Sequence, residues 1–552
     1  MNNSTLSQMF SLLSKLMEIH GENSFKAKSY SNTAFAIDRI NEQIITLTPQ
    51  AVANIRGIGS SSASKIFEII NTGKLGILEE IVAKTPKGVL EMLKIKGLGP
   101  KRIHTIWKEM EIESLGELLY ACKENRLKLF KGFGEKMQAS IESAISFYLK
   151  NKGKYLYAQV CDFAKDIYQI LKLEFEPATV INAGPFALQR EIIENLAYII
   201  SSSPQVISAT LTQKHGWKIT DSNEGIHFDI NGTVKVIIYP CEKEDIGWFS
   251  ILKSASTSFA DTFKKQIVDK NQFKNLSEKE VFSSINWPYI PPFLREAPEI
   301  ITKYTPKSPI IQDHQIRGII HSHTNWSDGS NTIEEMVAGC KEMGMEYLVI
   351  SDHSKSAFYA NGLNEERLKQ QHLYIDNLNT QLLDFTVFKG IESDILNDGN
   401  LDYDDDVLST FDIVIASIHS NLKMTEEKAN ARLIKAIENP YTTILGHMTG
   451  RLLLSREGYP INYKKIIDAC IANDVVIELN ANPHRLDIDW RQIDYVLNKG
   501  GLISINPDAH NIQGLQDIHF GVLMAQKAMV SSKQNFSSFT LNEIKLYLAK
   551  KK

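Results

Sequence analysis

From residue 316 to residue 511 the chain repeats one pattern seven times: a short apolar run, then a histidine, aspartate or glutamate where the run stops. IRGIIHSHTNWSDG (316–329) ends at His321 and His323, with Asp328 shortly beyond. YLVISDHS (347–354) ends at Asp352 and His353, FTVFKGIESDIL (385–396) at Glu392 and Asp394, and DIVIASIHSN (412–421) at His419. TTILGHMTG (442–450) delivers His447, VVIELNANP (475–483) delivers Glu478 and Asn480, and GLISINPDAHN (501–511) delivers Asp508 and His510. Between the runs lie helical patterns such as NTIEEMVAGCKEMG (331–344), KANARLIKAIEN (428–439) and YKKIIDACIAND (463–474). Alternating strands and helices predict a parallel sheet, and about seven units predict closure into a barrel. Reactive groups in such barrels sit at the carboxyl ends of the strands, where these residues fall. Side chains at i and i+2 project to one side of a strand, so His321 and His323 are expected to share a site. Imidazoles and carboxylates gathered there are metal donors, and the mixture suits Mn²⁺, Zn²⁺ or Fe²⁺ better than Mg²⁺.

The barrel accounts for less than half of the 552 residues, and a chain this long is expected to hold three or more domains. With 43% hydrophobic and 23% charged residues the composition is globular, which excludes disordered and fibrous classes. No apolar run approaches the ~20 residues that span a bilayer. The start, MNNSTLSQMFSLLSKLMEIHGEN, lacks the basic and apolar segments of a signal peptide. Cys122, Cys161, Cys241, Cys340 and Cys470 form no CxxC pair and no disulfide framework. A cytoplasmic monomer that does not engage membrane is therefore expected. The net charge of −4 hides an asymmetry: residues 51–150 hold 16 Lys and Arg against 11 Asp and Glu, whereas 311–520 hold 17 against 31 and ten of the 14 histidines. A basic N-terminal part suits a phosphate backbone, and an acidic, histidine-rich part suits cations.

The basic part carries a repeat. IRGIGSSSASKIFEIINTG (55–73) recurs as IKGLGPKRIHTIWKEM (95–110) and as FKGFGEKMQASIESAI (130–145). The glycine pairs Gly57/Gly59, Gly97/Gly99 and Gly132/Gly134 permit a tight turn, and a helix starts directly behind each. Free N–H groups and the positive end of the helix then face one point, where a phosphate fits. Lys65, Lys101, Arg102, Lys131 and Lys136 lie nearby. The motif resembles the helix-hairpin-helix, which grips DNA by its backbone without reading sequence.

Small helical domain, hairpins, a mixed α/β region at 155–300 and a histidine-rich module follow in the order found in the bacterial family X DNA polymerases, which the chain resembles over almost its whole length. SEKEVFSSINWPYIPPFLREAP (277–298) is similar to the end of that family's thumb. The resemblance implies an α-helical helix-hairpin-helix region, an α+β nucleotidyltransferase-like palm and thumb, and a C-terminal distorted (βα)₇ barrel of the polymerase-and-histidinol-phosphatase (PHP) kind. The expected boundaries are 1–90 for a DNA-end-binding domain with the first hairpin, 91–150 for a fingers-like hairpin region, 151–300 for palm and thumb, 301–315 for a linker and 316–552 for the PHP domain.

Within the palm the resemblance breaks. Gly184 in AGPFALQREIIENLAYII (183–200) matches the family's turn glycine, but Pro185 replaces its serine. Asn195, Ala197 and Lys235 occupy the expected aspartate positions, and Ala187 and Leu188 those of triphosphate-holding arginines. Two-metal nucleotidyl transfer needs such carboxylates, and a lysine ammonium repels the metal; polymerase activity is expected to be lost, with Asp229 unable to compensate alone.

In the barrel, the PHP resemblance implies nine ligands around three ions, carried here by His321, His323, Asp328, His353, Glu392, His419, His447, Asp508 and His510. Manganese is the leading ion. Asp352, Asp394, Glu478 and Asn480 are expected to hold ligands in place and not to bind metal themselves. His321, His323, His353, Glu392, Asp508 and His510 are expected to do the chemistry. Arg451, after His447, either holds a phosphate oxygen or forms a plain salt bridge; His484 is a weaker candidate of the same kind. The family implies 3′→5′ exonuclease work on gapped, nicked or 3′-ended DNA in repair, with abasic-site cleavage or removal of 3′ blocking groups as extensions. The alternatives are a small-molecule phosphatase of the histidinol-phosphatase type, a DNA-binding scaffold with a vestigial barrel, and a residual polymerase.

Overall fold

The computed structural model describes every residue except 1, 41, 124, 125, 222, 223, 231, 233, 268 and 552. The chain forms two compact units, residues 1–152 and 153–552. Among the described residues no helix is long and apolar enough to cross a membrane.

The first unit is built of helices. Asn3–His20 starts where the Asn2 side chain accepts the Thr5 N–H, and stops at Gly21 in the left-handed conformation. Leu6, Phe10, Leu13 and Met17 recur at helical spacing and bury one face. That face packs on Ser24–Asp38, whose Tyr30, Ala34 and Ile37 are buried. The later helices extend the same core through Ile66, Ile69, Ile103, Ile106, Ile141 and Ile145.

The second unit opens with a five-stranded sheet in the order Val180–Ala183, Asn195–Ile200, Lys235–Pro240, Ile226–Asp229, Lys218–Asp221. Only the pair Asn195–Ile200 and Lys235–Pro240 runs parallel. Leu196, Tyr198 and Ile200 alternate along one face and join Phe228, Val236 and Ile238 in a core of their own.

The barrel follows as seven parallel strands: β1 (Gly318–Ile319), β2 (Tyr347–Ile350), β3 (Thr386–Asp394), β4 (Ile413–Ser417), β5 (Ile444–Leu445), β6 (Val476–Asn480) and β7 (Ile503–Asn506), each beside the next in chain order. The expected (βα)₇ architecture is thus what forms. Alternation divides each strand: Val414, Ala416, Ile477 and Leu479 face the helices, while Ile413, Ile415, Ile444 and Val476 belong to a separate inner cluster. Phe536 and the C-terminal helix Leu541–Lys551, through Ile544 and Leu548, pack on that inner cluster and plug the amino end. The ring closes at the opposite end, beyond the strands, where Ser322 bridges Ala509 and the His323 N–H donates to the Ala509 carbonyl at 2.8 Å.

Candidate metal centre and nucleic-acid interface

Above the apolar layer the barrel interior turns polar, with Glu392, near the end of β3, in the middle. Its Oε1 lies 3.1 Å from His321 Nε2, 3.2 Å from His419 Nε2 and 3.0 Å from His447 Nε2. Its Oε2 lies 3.0 Å from His353 Nδ1 and 3.6 Å from His323 Nε2. Asp508 Oδ1 stands 3.2 Å from His323 Nε2 and 3.5 Å from His321 Nε2. Asp328 Oδ2 completes the outer edge, 3.6 Å from His353 Nε2 and 3.5 Å from His510 Nε2. All nine residues expected as ligands fall into four overlapping groups of donor atoms, which share His321, His323, His353 and Glu392.

The route to this convergence differs from the expected one at the first strand. β1 ends at Ile319, and His321 takes a left-handed φ of 63°, so alternation along a strand does not pair it with His323. The twisted backbone and the bridge to Ala509 bring the two rings together, with centroids 5.4 Å apart.

A second layer orients the rings. Glu478 Oε1 lies 2.5 Å from His321 Nδ1, and Asp394 Oδ1 lies 2.5 Å from His419 Nδ1. An ionised carboxylate only accepts, so each Nδ1 carries a proton, which leaves Nε2 as the nitrogen that could bind a metal. Asn480 Nδ2 donates to Asp508 Oδ2 at 3.1 Å. Asp352 accepts from the Thr324 N–H and hydroxyl, Ser327 and Gln371, fixing the loop that carries Asp328.

Burial works against charge here, and the neighbours decide each outcome. Burial raises Glu392, but His419, His321 and His353 overcome it and hold the carboxyl well below its usual range. Burial and the His353 ring push His323 down to about 3. Burial opposes protonation of His353, yet Glu392 and Asp328 raise it to about 10. Among the described residues His321 Nε2, both ring nitrogens of His323, Glu392 Oε2 and His447 Nδ1 are buried with no hydrogen-bond partner. Each such atom costs about 1–3 kcal/mol if nothing binds it. The donor separations of 3.0–3.6 Å around Glu392 match two ligands sharing one ion at bonds of about 2.1 Å. The residues fit divalent metal.

Arg451 does not reach the cluster. Its guanidinium binds the Arg485 carbonyl at 2.9 Å, the Leu486 carbonyl and Asp489 at 3.0 Å, which is the salt-bridge alternative, and it pins the 485–489 loop. That loop instead sends Arg485 inward, with Nε 3.3 Å from Asp508 Oδ2, while His484 is exposed. Arg485 escaped the sequence reading because a lone arginine in a loop carries no spacing signal; its place next to His484 in NPHR was the only hint.

The three hairpins are near copies. Gly57, Gly97 and Gly132 take φ of 99°, 93° and 93°. The residues after them, Ile58, Leu98 and Phe133, bury their side chains and donate to the carbonyls of Ile55, Ile95 and Phe130. Gly59, Gly99 and Gly134 start the helices Ser60–Thr72, Pro100–His104 and Glu135–Asn151 without any capping side chain. Lys101 and Lys136 are exposed and Lys65 half-buried, whereas Arg102 donates to its own hairpin at Gly97 O, 2.8 Å away. The third copy places Glu135 at the first helical position, where a phosphate would be repelled.

In the palm, Gly184 has φ 59° and turns against the sheet so tightly that a Cβ there would lie 2.9 Å from Ala197 Cβ. Asn195 is paired with Lys235 in register, and Ala197 with Ile237. The three positions expected to hold aspartates therefore sit together, and the Asp229 carboxylate is taken by the Gly232 N–H at 2.8 Å.

Hairpins and a histidine-rich parallel barrel define the class: a DNA-binding protein carrying a PHP phosphoesterase domain. Residues 1–75 match the helix-hairpin-helix domain, 89–141 the SAM-like helix-hairpin-helix tandem and 320–482 the PHP domain. The chain is 31% identical to the DNA polymerase/3′-5′ exonuclease PolX of Bacillus subtilis (strain 168) over 99% of both chains, and it belongs to that family. Over 29% of its length it is also similar to probable phosphatases of Clostridium novyi (27% identical) and Clostridium acetobutylicum (30%), spanning 63% of each. Asp508 and His510 lie beyond the matched PHP segment, and only the closing of the barrel brings them to it.

Proposed function

We propose that this chain is a metal-dependent DNA repair nuclease that removes nucleotides from 3′ ends through its PHP barrel, with the polymerase activity of its family lost. The observation that carries this reading is the convergence of nine donor residues around the buried Glu392, several of whose ring and carboxylate atoms have no partner within the protein. Bound divalent ions, with manganese favoured and three the expected number, would acidify a water, neutralise the non-bridging phosphate oxygens and stabilise the leaving alkoxide. The chain's own residues prepare the place. Glu392 stays ionised at the centre, and His323 stays neutral, with the lone pair of one ring nitrogen available to a metal. Glu478 and Asp394 lock the rings of His321 and His419 in the tautomer that points Nε2 inward. Arg485 beside Asp508 supplies positive charge at the edge, where Arg451 does not reach. The hairpins around Gly57/Gly59 and Gly97/Gly99, with Lys65 and Lys101, hold the DNA backbone by N–H groups and charge; the copy at Gly132/Gly134 contributes less because of Glu135.

Loss of polymerase activity is supported by Asn195, Ala197 and Lys235 standing together where metal-binding carboxylates are required. With Mn²⁺, a 5′-labelled gapped duplex is expected to give a ladder of shortened products, and no primer extension with all four dNTPs. His321→Ala abolishes the ladder while gel-shift binding is retained. The similarity of the barrel to probable phosphatases favours a second reading, which turnover of histidinol phosphate without DNA cleavage would support.

A further inference from the structure

Among the nine donors, exposure is greatest at Asp328 and His510. The side chains of His321, His323, Glu392 and His447 are at most 1% exposed, whereas Asp328 and His510 are 32% and 39% exposed. Two loops adjoin the donors, 324–331, which carries Asp328, and 353–362, which begins at His353. They are fastened together. Asn361 Nδ2 donates to the carbonyls of Trp326 and Ser327 at 3.3 and 3.4 Å. Arg367, in the first turn of helix Glu365–Asn379, donates to Asn361 O at 2.8 Å and also to Trp326 O. At the other end of the second loop, Ser356 Oγ donates to Asp394 Oδ2 at 2.8 Å and its N–H to Asp402 Oδ2 at 2.6 Å. Asp394 is the carboxylate that orients His419.

Between these two anchors the chain makes a 3₁₀ turn, Phe358–Ala360, and there the Phe358 ring is 89% exposed. Scattered surface apolar residues are ordinary. This one differs in being held on a loop tied at both ends, two residues from a side chain that supports the metal ligands. Trp326, on the facing loop, is already engaged edge-on with Tyr374 at 6.1 Å. Phe358 is left exposed on the loop that begins at the ligand residue His353. An aromatic ring in such a place fits the one apolar part of a nucleic acid that accompanies every phosphate, because each base has a stacking face whatever its identity.

We infer that Phe358 is a positioning residue that stacks the base next to the scissile phosphodiester and so steers an unpaired 3′ end into the metal centre without selecting sequence. This deepens, and rests on, the reading of the barrel as a DNA nuclease. The test uses the full chain with Mn²⁺ and two 5′-labelled duplexes with single-stranded 3′ tails, identical except that one carries base-less tetrahydrofuran residues at its last two positions. Wild type is expected to show a KM about tenfold lower on the ordinary end, with kcat similar. Phe358→Ala raises KM on the ordinary end to the base-less value and leaves the base-less end unchanged, and Phe358→Trp restores the difference. Wild-type KM on the ordinary end in Phe358→Ala, or an equal loss on both ends, overturns the inference while the nuclease reading stands. Absence of any DNA cleavage by wild type overturns both.

Discussion

The palm sheet and the barrel are both strand frames that bring distant residues to one point, and they have fared differently. The sheet of residues 180–240 has an Asn195–Lys235 register and a tight turn at Gly184, and on the proposed reading an amide, a methyl and an ammonium stand where carboxylates would be needed. In the barrel the frame and the charges stand together, the rings of His321 and His419 backed by Glu478 and Asp394. The contrast teaches that a strand frame can hold by burial alone. Leu196, Tyr198, Phe228 and Val236 keep the palm folded by burial alone. Buried carboxylates and imidazoles give the barrel no such return until metal binds them. They are the part that selection for chemistry has to maintain.

That contrast can be broken or sharpened by experiment. The largest effect belongs to the centre: Glu392→Gln removes the charge around which five histidines gather and is expected to reduce nuclease activity at least about 10³-fold, read by the rate of laddering. An active variant would separate the chemistry from the barrel. Next, Asp394→Asn keeps the shape around His419 but loses the charged acceptor, and should weaken metal affinity about 10–100-fold in a Mn²⁺ titration. Stripping metal with EDTA should lower the thermal midpoint of the 153–552 unit by about 3 °C for each ion present at about 100 times its Kd. The same treatment of the triple variant Asn195→Asp, Ala197→Asp, Lys235→Asp asks whether the palm can be recharged: Mn²⁺ binding above the wild-type level, seen by electron paramagnetic resonance, is expected. The smallest change is in the hairpins, where Lys101→Ala should reduce the salt dependence of DNA binding by about one counterion and leave kcat untouched.

Much of the barrel was legible because its two periods are coarse and repeated. Apolar runs alternating with amphipathic helices specify parallel crossovers, and a donor at each run's end survives any error of one or two residues in the strand boundary. His321 shows the limit: the strand stops early and a left-handed backbone turns the ring inward, an outcome set by contact with Ala509 and invisible in local spacing. Arg451 and Arg485 show another. Both are single arginines near ligands, and which one meets the centre depends on the carbonyls of Arg485 and Leu486 capturing the first. The plug at the amino end, from Phe536 and Leu541–Lys551, also gave no signal, since an ordinary amphipathic helix does not announce what it covers.

Because the two ends of the sheet bridge directly beside the donors, at Ser322 and Ala509, an ion held jointly by His321, His323 and Asp508 would work as the clasp of a bracelet. Unloaded, the hoop has a built-in place to gape, and amide hydrogen exchange at His323 and Ala509 should quicken there ahead of the remaining strand-to-strand seams.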